Sequence, residues 1–394
     1  FSRRIAFIPM SWHSQSCSIM RGPASFASWH LNCAYQPPLT LPIHAITPAE
    51  ALSNLDQFDA IIDARSPSEF DLDHMPDAQN WPSLNDEERV LIGTMYKQVN
   101  TFEAKKQGAA LVARNIANHI DTHLRDAPRH WKPLLYCWRG GNRSGALATV
   151  LSAIGFHVHL VTGGYKAFRA TVMAQTPEFV ARLQYRVVAG ATGVGKTHVL
   201  HALRAAGEQV LDLEGLARHR SSVLGLIPGT PQPSQKHFET LIWHALRNFD
   251  TSRPVYIESE SKRVGNLTVP ESLIARMRSS PCVLLSMSVE ERVKLLMADY
   301  DFFVKDSVFF GERLDTLVAL LGHAVVNEWK AKAAAGQSAE VVAELLSQHY
   351  DPRYYESMAR NFEHYDVAKT VTVERASPAA LTAAAHAVQS IFET

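Results

Sequence analysis

The sequence predicts an α/β protein of two domains. Three observations carry this: two strand–loop–helix units that each contain an anion-binding loop, an alternating β/α order around them, and 394 residues of globular composition. At about 150 residues per domain, that length fits two domains. With 46% apolar and 20% charged residues, the chain is neither disordered, collagen-like nor a disulfide-stapled miniprotein. No apolar run approaches the roughly 20 residues of a membrane helix, so a soluble chain with no membrane partner is expected. The four cysteines, Cys17, Cys33, Cys137 and Cys282, form no CxxC pair. Neither zinc nor a disulfide framework is suggested, and the cytoplasm is the expected compartment.

Along the chain, Arg3 and Arg4 precede an apolar run over residues 5–10 that imitates an export signal. The run is short, and His13 and Gln15 follow at once. Residues 1–42 are set aside as an N-terminal extension expected to be poorly ordered. The first domain is assigned to residues 43–176. In it, Asp59-Ala-Ile-Ile-Asp63 reads as a short buried strand, and Leu134-Leu-Tyr-Cys137 as another that runs into a Gly-containing loop and a helix over residues 144–154. A strand over 157–161, a Gly163-Gly164 turn and an amphipathic segment over 165–173 follow. Ala174-Gln-Thr-Pro-Glu178 is the linker candidate. The second domain, residues 177–394, opens on a strand over 184–189 leading into a Gly-rich loop and helix. Further strands are expected at 209–213, 254–258 and 282–287. From about Ser288 the tail reads as mostly helical, led by the Ala-rich segment 328–346.

The net charge of zero conceals an asymmetry. Residues 43–90 carry eleven acidic and two basic side chains, whereas residues 97–143 carry nine basic and three acidic ones. One face can therefore attract anions although the whole chain is neutral.

Gly190-Ala-Thr-Gly-Val-Gly195-Lys196-Thr197 fits G-x-x-x-x-G-K-[ST] between an expected strand and an expected helix. Its backbone N–H groups, with Gly190, Thr192, Gly193 and Gly195 shaping the turn, suit a diphosphate. Lys196 supplies a point charge, and Thr197 a hydroxyl for Mg²⁺. A carboxylate for that ion is expected at a neighbouring strand end, from Glu258 with Glu260, or from Asp212. The eighteen histidines include no i, i+4 pair backed by a carboxylate, so no metal beyond Mg²⁺ is expected.

Cys137-Trp138-Arg139-Gly140-Gly141-Asn142-Arg143-Ser144 sets a Cys at a strand end and an Arg six residues later, around two glycines. Backbone N–H groups of such a loop converge on the sulfur and stabilise a thiolate. The same cradle binds an oxyanion, and the Arg143 fork can hold two of its oxygens. Cys137 is therefore the candidate nucleophile.

Asp63-Ala-Arg65-Ser-Pro-Ser-Glu69-Phe70 and His74-Met-Pro76-Asp-Ala78-Gln-Asn80 resemble the opening signature of rhodanese domains, and the Cys137 loop falls where their active-site cysteine falls. The loop is one residue longer than in common sulfurtransferases of that fold and resembles that of the phosphatases sharing it. Further along stand Leu211-Asp-Leu-Glu-Gly-Leu-Ala-Arg-His-Arg220, Gln232-Pro-Ser-Gln-Lys-His-Phe-Glu239 and Ile257-Glu-Ser-Glu-Ser-Lys-Arg-Val-Gly265. With these strings, a rhodanese-like α/β domain followed by a P-loop NTPase-like α/β domain with a helical C-terminal region resembles the tRNA 2-selenouridine synthases. The chain departs from the pattern at Asp73-His74 and Pro76-Asp77, where Gly-His and Pro-Gly are more usual.

The resemblance implies replacement of sulfur by selenium in wobble 2-thiouridine of tRNA, with selenophosphate as donor and an S-geranyl intermediate made from geranyl diphosphate. On that reading Cys137, Arg139 and Arg143, with Trp138, Gly140, Gly141, Asn142 and Ser144, serve selenophosphate, while the Gly190 to Thr197 loop and Mg²⁺ serve the prenyl diphosphate. Lys97, Lys105, Lys106 and Arg114 are candidates for the tRNA surface, with Trp138 or Tyr165 as stacking partners for an extruded base. A selenophosphate-supplying enzyme is a further expected partner. The oligomeric state stays open, a monomer being compatible. The alternative is an ATP-dependent tRNA sulfurtransferase or a P-loop kinase carrying a rhodanese domain.

Overall fold

A computed structural model describes residues 41–393 apart from 221 and 223. The extension expected over residues 1–42 lies almost wholly outside the described residues, as do Cys17 and Cys33.

Two five-stranded parallel sheets organise the chain, the arrangement expected where strands alternate with helices. The first contains β1 (His44–Ile46), β2 (Ala60–Asp63), β3 (Ala78–Asn80), β4 (Pro133–Tyr136) and β5 (His159–Val161), in the order β1-β5-β4-β2-β3. The second contains β6 (Tyr185–Ala189), β7 (Gln209–Leu211), β8 (Val255–Glu258), β11 (Cys282–Ser286) and β12 (Lys369–Thr372), in the order β12-β11-β6-β8-β7. Between them in sequence, β9 (Arg263–Val264) and β10 (Leu267–Thr268) form a small antiparallel ladder.

The strand order places the chemistry. After β2 the first sheet grows outward to β3, and β4 then pairs on the other side of β2. After β6 the second sheet grows toward β8 and β7, and β11 pairs on the opposite side. Each reversal opens a crevice at the carboxyl ends of adjacent strands, the usual ligand position in open α/β sheets. Cys137 follows β4 and the Gly190 loop follows β6, so both anion-binding loops sit at such a crevice.

The stretch expected as a linker, 174–178, is the interior of the helix Gly164–Arg182. Val172, Thr176 and Val180, four residues apart, are all buried, so a continuous stripe faces the core. That burial outweighs the helix-breaking tendency of Pro177. The two sheets also share a core: Trp243 of the helix Gln235–Arg247 is fully buried among Val172, Phe168 and Tyr165. Beside it lies Asp73, completely buried, whose carboxylate accepts from Tyr165 Oη at 2.8 Å, from Thr240 Oγ1 at 3.2 Å, and lies 3.4 Å from His237 Nδ1. The departure from the Gly-His pattern thus supplies a carboxylate that ties the two halves together.

The tail is mostly helical, as expected, with two departures in detail. Lys369–Thr372 forms β12, pairing along β11 in parallel. The Ala-rich segment is two helices, His323–Ala334 and Ser338–Leu345, separated at Gly336 with φ +81°. A left-handed glycine ends a helix whatever the propensity of the flanking alanines.

Candidate active site in two anion-binding loops

Cys137 is the first residue past β4 and is buried. The loop turns back so that the helix Asn142–Ile154 begins beside the sulfur. A second turn holds the loop: the N–H groups of Tyr165 and Lys166 donate to the carbonyls of Cys137 and Trp138 at 2.8 and 3.0 Å. Gly164 has φ +55°, and any side chain there would collide with the Cys137 carbonyl oxygen. The Gly163-Gly164 turn visible in the sequence is therefore the support of the cysteine loop.

The Ser144 hydroxyl donates to Cys137 Sγ at 3.1 Å. Burial alone pushes the thiol up. Hydrogen bonds from the Ser144 hydroxyl and from the N–H groups of Ser144, Gly141 and Arg139 outweigh it, and the Cys137 pKa falls below that of an ordinary thiol. Arg143 closes the loop with Nη1 at 2.6 Å from Glu69 Oε2, and Arg89 Nε reaches the same oxygen at 3.1 Å. Burial would raise the Glu69 carboxyl, but the two guanidinium groups bring it down. Arg143, read from the sequence as a phosphate fork, is thus also braced by a carboxylate of the Asp63 to Phe70 motif. Arg139, Gly141 and Asn142 are exposed around the loop, and Gly140 takes φ +65°. Trp138 is 36% exposed and 5.5 Å from the Tyr165 ring. Tyr165 itself is buried beneath the Arg65 guanidinium at 3.9 Å. Of the two rings expected to stack on a base, only Trp138 meets solvent.

In the second loop Gly190, Gly193 and Gly195 all have positive φ, at +154°, +80° and +83°, before the helix Lys196–Ala205. Only a residue without Cβ fits Gly193, since a Cβ would lie 2.8 Å from the Leu296 side chain. Lys196 Nζ donates to the Gly190 carbonyl at 2.7 Å and lies 5.6 Å from the Tyr354 ring. The Gly190 N–H donates to Tyr354 Oη at 2.5 Å. Arg292 Nε donates to the Thr192 carbonyl at 2.9 Å while its fork grips Asp351 at 2.8 and 2.6 Å. The helix Asp351–Asn361 is thereby fastened onto the phosphate loop. Sequence reasoning did not find these contacts, because nothing in the tail marks which of its residues face the loop.

Beside Thr197, one oxygen each of Glu214, Glu258 and Glu260 lie within 4.8 Å of one another. The Thr197 hydroxyl donates to Glu214 Oε2 at 3.1 Å. Glu258, at the end of β8, is completely buried; its Oε1 accepts from the Glu214 N–H at 3.1 Å and its Oε2 has no hydrogen-bond partner. Burial first, then the neighbouring Glu214, Glu260 and Asp212, push its pKa well up. A buried orphan oxygen in an anionic group of hard ligands fits a divalent cation, which would relieve both. Asp212 is not in this set. Its carboxylate caps the helix Leu213–Ala217 by accepting from the Gly215 N–H at 2.7 Å, and lies 2.9 Å from His201 Nε2. Glu214, two residues on, takes the place expected of Asp212. The loop, Glu214 and Glu260 line a cleft of about 680 Å³.

Lys97, Lys105, Lys106 and Arg114 are all exposed on the paired helices Asp86–Gln98 and Thr101–His123. They do not make one stripe. At 3.6 residues per turn, the nine-residue step from Lys105 to Arg114 puts them roughly 180° apart, and Lys106 pairs with Glu103 at 2.8 Å.

The chain matches two described families: "Rhodanese-like domain" over residues 47–171 and "tRNA 2-selenouridine synthase AAA domain" over residues 183–310. It is 38% identical to the tRNA 2-selenouridine synthase of Marinobacter nauticus over 61% of this chain and 65% of the relative. The tRNA 2-selenouridine synthase of Nitrosomonas europaea is 36% identical over 61% and 63%. That of Sulfurovum sp. is 32% identical over 76% of this chain and 89% of its own length. The match thus spans just under two thirds of the first two relatives and most of the third.

Proposed function

The chain belongs to the tRNA 2-selenouridine synthase family, and we propose that it replaces sulfur by selenium in the wobble 2-thiouridine of tRNA through an S-geranyl intermediate. The observation that carries this reading is the pairing, in one fold, of two anion cradles with different chemistry. One presents a buried cysteine whose pKa is lowered by hydrogen bonds; the other presents a lysine, a hydroxyl and a group of carboxylates suited to a cation.

In the first half-reaction the thiocarbonyl sulfur attacks C1 of geranyl diphosphate. The C1–O bond breaks as the C1–S bond forms, diphosphate leaves with the bonding pair, and the N3 proton of the base is released to solvent. The backbone of Gly190 to Thr197 and Lys196 hold that leaving group. Glu214, Glu258, Glu260 and the Thr197 hydroxyl would hold Mg²⁺, which would supply neutralising charge for the diphosphate. Alkylation turns sulfur into a thiol that can depart, which makes the second half-reaction feasible. There the Cys137 loop binds selenophosphate, with Arg139 and Arg143 on its oxygens and the thiolate positioned against selenium. The selenium of hydrogen selenophosphate adds at C2 of the base, the C2–S bond breaks and geranyl thiol leaves with the donor's proton; water then takes the phosphoryl group, the P–Se bond breaking to leave phosphate and 2-selenouridine. Trp138 offers a stacking face for the base, and the exposed lysines of the helical pair contribute phosphate contacts. We further propose a cytoplasmic enzyme supplied by a selenophosphate-producing partner.

The test follows the nucleoside by mass spectrometry. Purified protein with Mg²⁺, geranyl diphosphate and 2-thiouridine tRNA should yield S-geranyl-2-thiouridine, and added selenophosphate should convert it to 2-selenouridine. Rapid ATP turnover with an unchanged nucleoside would instead identify a nucleotide-dependent enzyme and sink the proposal.

A further inference from the structure

Three arginines that line the phosphate-loop cleft, Arg218, Arg278 and Arg353, have no task in the reading above. Among the described residues none of their guanidinium groups makes a hydrogen bond or an ion pair, whereas Arg220 in the same cleft donates to the Asp299 carbonyl at 2.5 Å. The cleft's carboxylates are engaged elsewhere: Glu214 and Glu260 belong to the cation group, Asp212 lies 2.9 Å from His201 Nε2, and Asp299 lies 3.0 Å from His198 Nε2. Arg218 ends the helix Leu213–Ala217, which carries Glu214, in the left-handed region at φ +50°. Glycine is the usual residue there, and a side chain costs about 1 kcal/mol. The cap alone therefore does not account for an arginine. Arg353 is exposed on the helix Asp351–Asn361, next to Tyr354, whose hydroxyl meets the Gly190 N–H. That helix runs about 12 Å from Arg353 to its end, and just beyond it the Glu363 N–H donates to the Arg278 carbonyl at 3.0 Å. Arg278 Nε is buried without a partner, a donor that an oxyanion would satisfy.

That distribution selects a class of ligand. A diphosphate in the loop is already met by Lys196, by backbone N–H groups and by a cation on the carboxylates, so three further positive charges spread along the cleft exceed its need. A chain of singly charged phosphodiesters matches them, because each guanidinium fork can take the oxygens of one phosphate. We infer that Arg218, Arg278 and Arg353 form a track for the single-stranded RNA backbone on either side of the nucleotide being modified, and so bring its base to the phosphate loop. The inference rests on the reading of this loop as the place where 2-thiouridine is alkylated, and adds what holds the RNA there.

The experiment uses the full chain with Mg²⁺. Fluorescence anisotropy over a range of salt measures its affinity for an anticodon stem–loop carrying 2-thiouridine at the wobble position, and calorimetry its affinity for inorganic pyrophosphate. Losing one phosphate contact to single-stranded RNA lowers the slope of log affinity against log salt by about 0.7 and weakens binding about fivefold at 0.1 M salt. Arg218→Gln and Arg353→Gln should each show that loss, with pyrophosphate affinity unchanged. Arg218→Gly separates ligand from fold, because glycine accepts the left-handed backbone without strain: its Tm should hold or rise while its RNA affinity falls. An unchanged salt slope in all three variants overturns the inference while the function stands. Weaker pyrophosphate binding in them also overturns it, since the arginines then belong to the diphosphate site. If wild type itself neither binds the stem–loop nor S-geranylates it, the functional reading fails and the inference falls with it.

Discussion

At the scale of single residues, the two loops differ in what their surroundings do to a proton. Ser144 and three backbone N–H groups favour the Cys137 thiolate. Ser144→Ala should therefore shift the pH profile of Cys137 alkylation by iodoacetamide to higher pH; an unmoved profile would show that the hydroxyl does not stabilise the sulfur. Glu258 runs the other way. Its folded-state carboxyl holds its proton more tightly than an unfolded glutamate, with a pKa of about 4.3, so the folded state binds more protons above that pH. The stability this contributes is complete below the unfolded value and is lost as pH rises toward the folded one. In metal-free protein, Tm should fall as pH rises from 5 to 8. Glu258→Gln should flatten that slope, and Mg²⁺ should raise Tm most at the alkaline end. The placement of these residues was readable from sequence: Cys137, Lys196 and Thr197 lie in the expected loops, and Glu258 and Glu260 at the expected strand end. Glu214 was not, since Asp212 occupies the strand end where a metal carboxylate is usually sought. What separates the two is that the Asp212 side chain turns back to cap the next helix, which no spacing reveals.

At the scale of elements, the helix Asp351–Asn361 closes over the phosphate loop through a buried ion pair. Arg292 is 3% exposed, and it joins the Thr192 carbonyl to Asp351. Removing Arg292 leaves the partly exposed Asp351 and the Thr192 carbonyl without their partner, so Arg292→Ala should cost about 1–3 kcal/mol in a denaturant titration. It should also weaken pyrophosphate binding, because the loop loses its outer support. Equal pyrophosphate affinity in the variant would show that the tail is mere packing. Strands with continuous apolar runs, such as β4, β6 and β8, were legible from sequence because both faces are buried. β12 was not. Lys-Thr-Val-Thr buries only Val371 and reads as polar, being an edge strand. Nor was the continuity of the helix Gly164–Arg182, where proline and polar residues suggest a break and only the buried stripe explains its absence.

At the scale of the molecule, the two sheets are coupled through Trp243 and Asp73. Trp243→Ala should therefore cost about 3–5 kcal/mol, and scanning calorimetry should show one unfolding transition for the wild type that separates into two in the variant. Two transitions in the wild type would contradict the shared core. The composition that began as a net charge of zero now has a spatial meaning, since the basic segment ends at the cysteine loop and the acidic one supplies Glu69 and Asp73 to brace it and to join the halves. The central claim is that the halves divide one reaction. It is tested most directly by nucleoside mass spectrometry of 2-thiouridine tRNA treated with geranyl diphosphate and selenophosphate by wild type, Cys137→Ser and Lys196→Ala. Cys137→Ser should accumulate the S-geranyl nucleoside without 2-selenouridine, and Lys196→Ala should lose geranylation yet still convert tRNA already geranylated. Equal loss of both steps in each folded variant would contradict it.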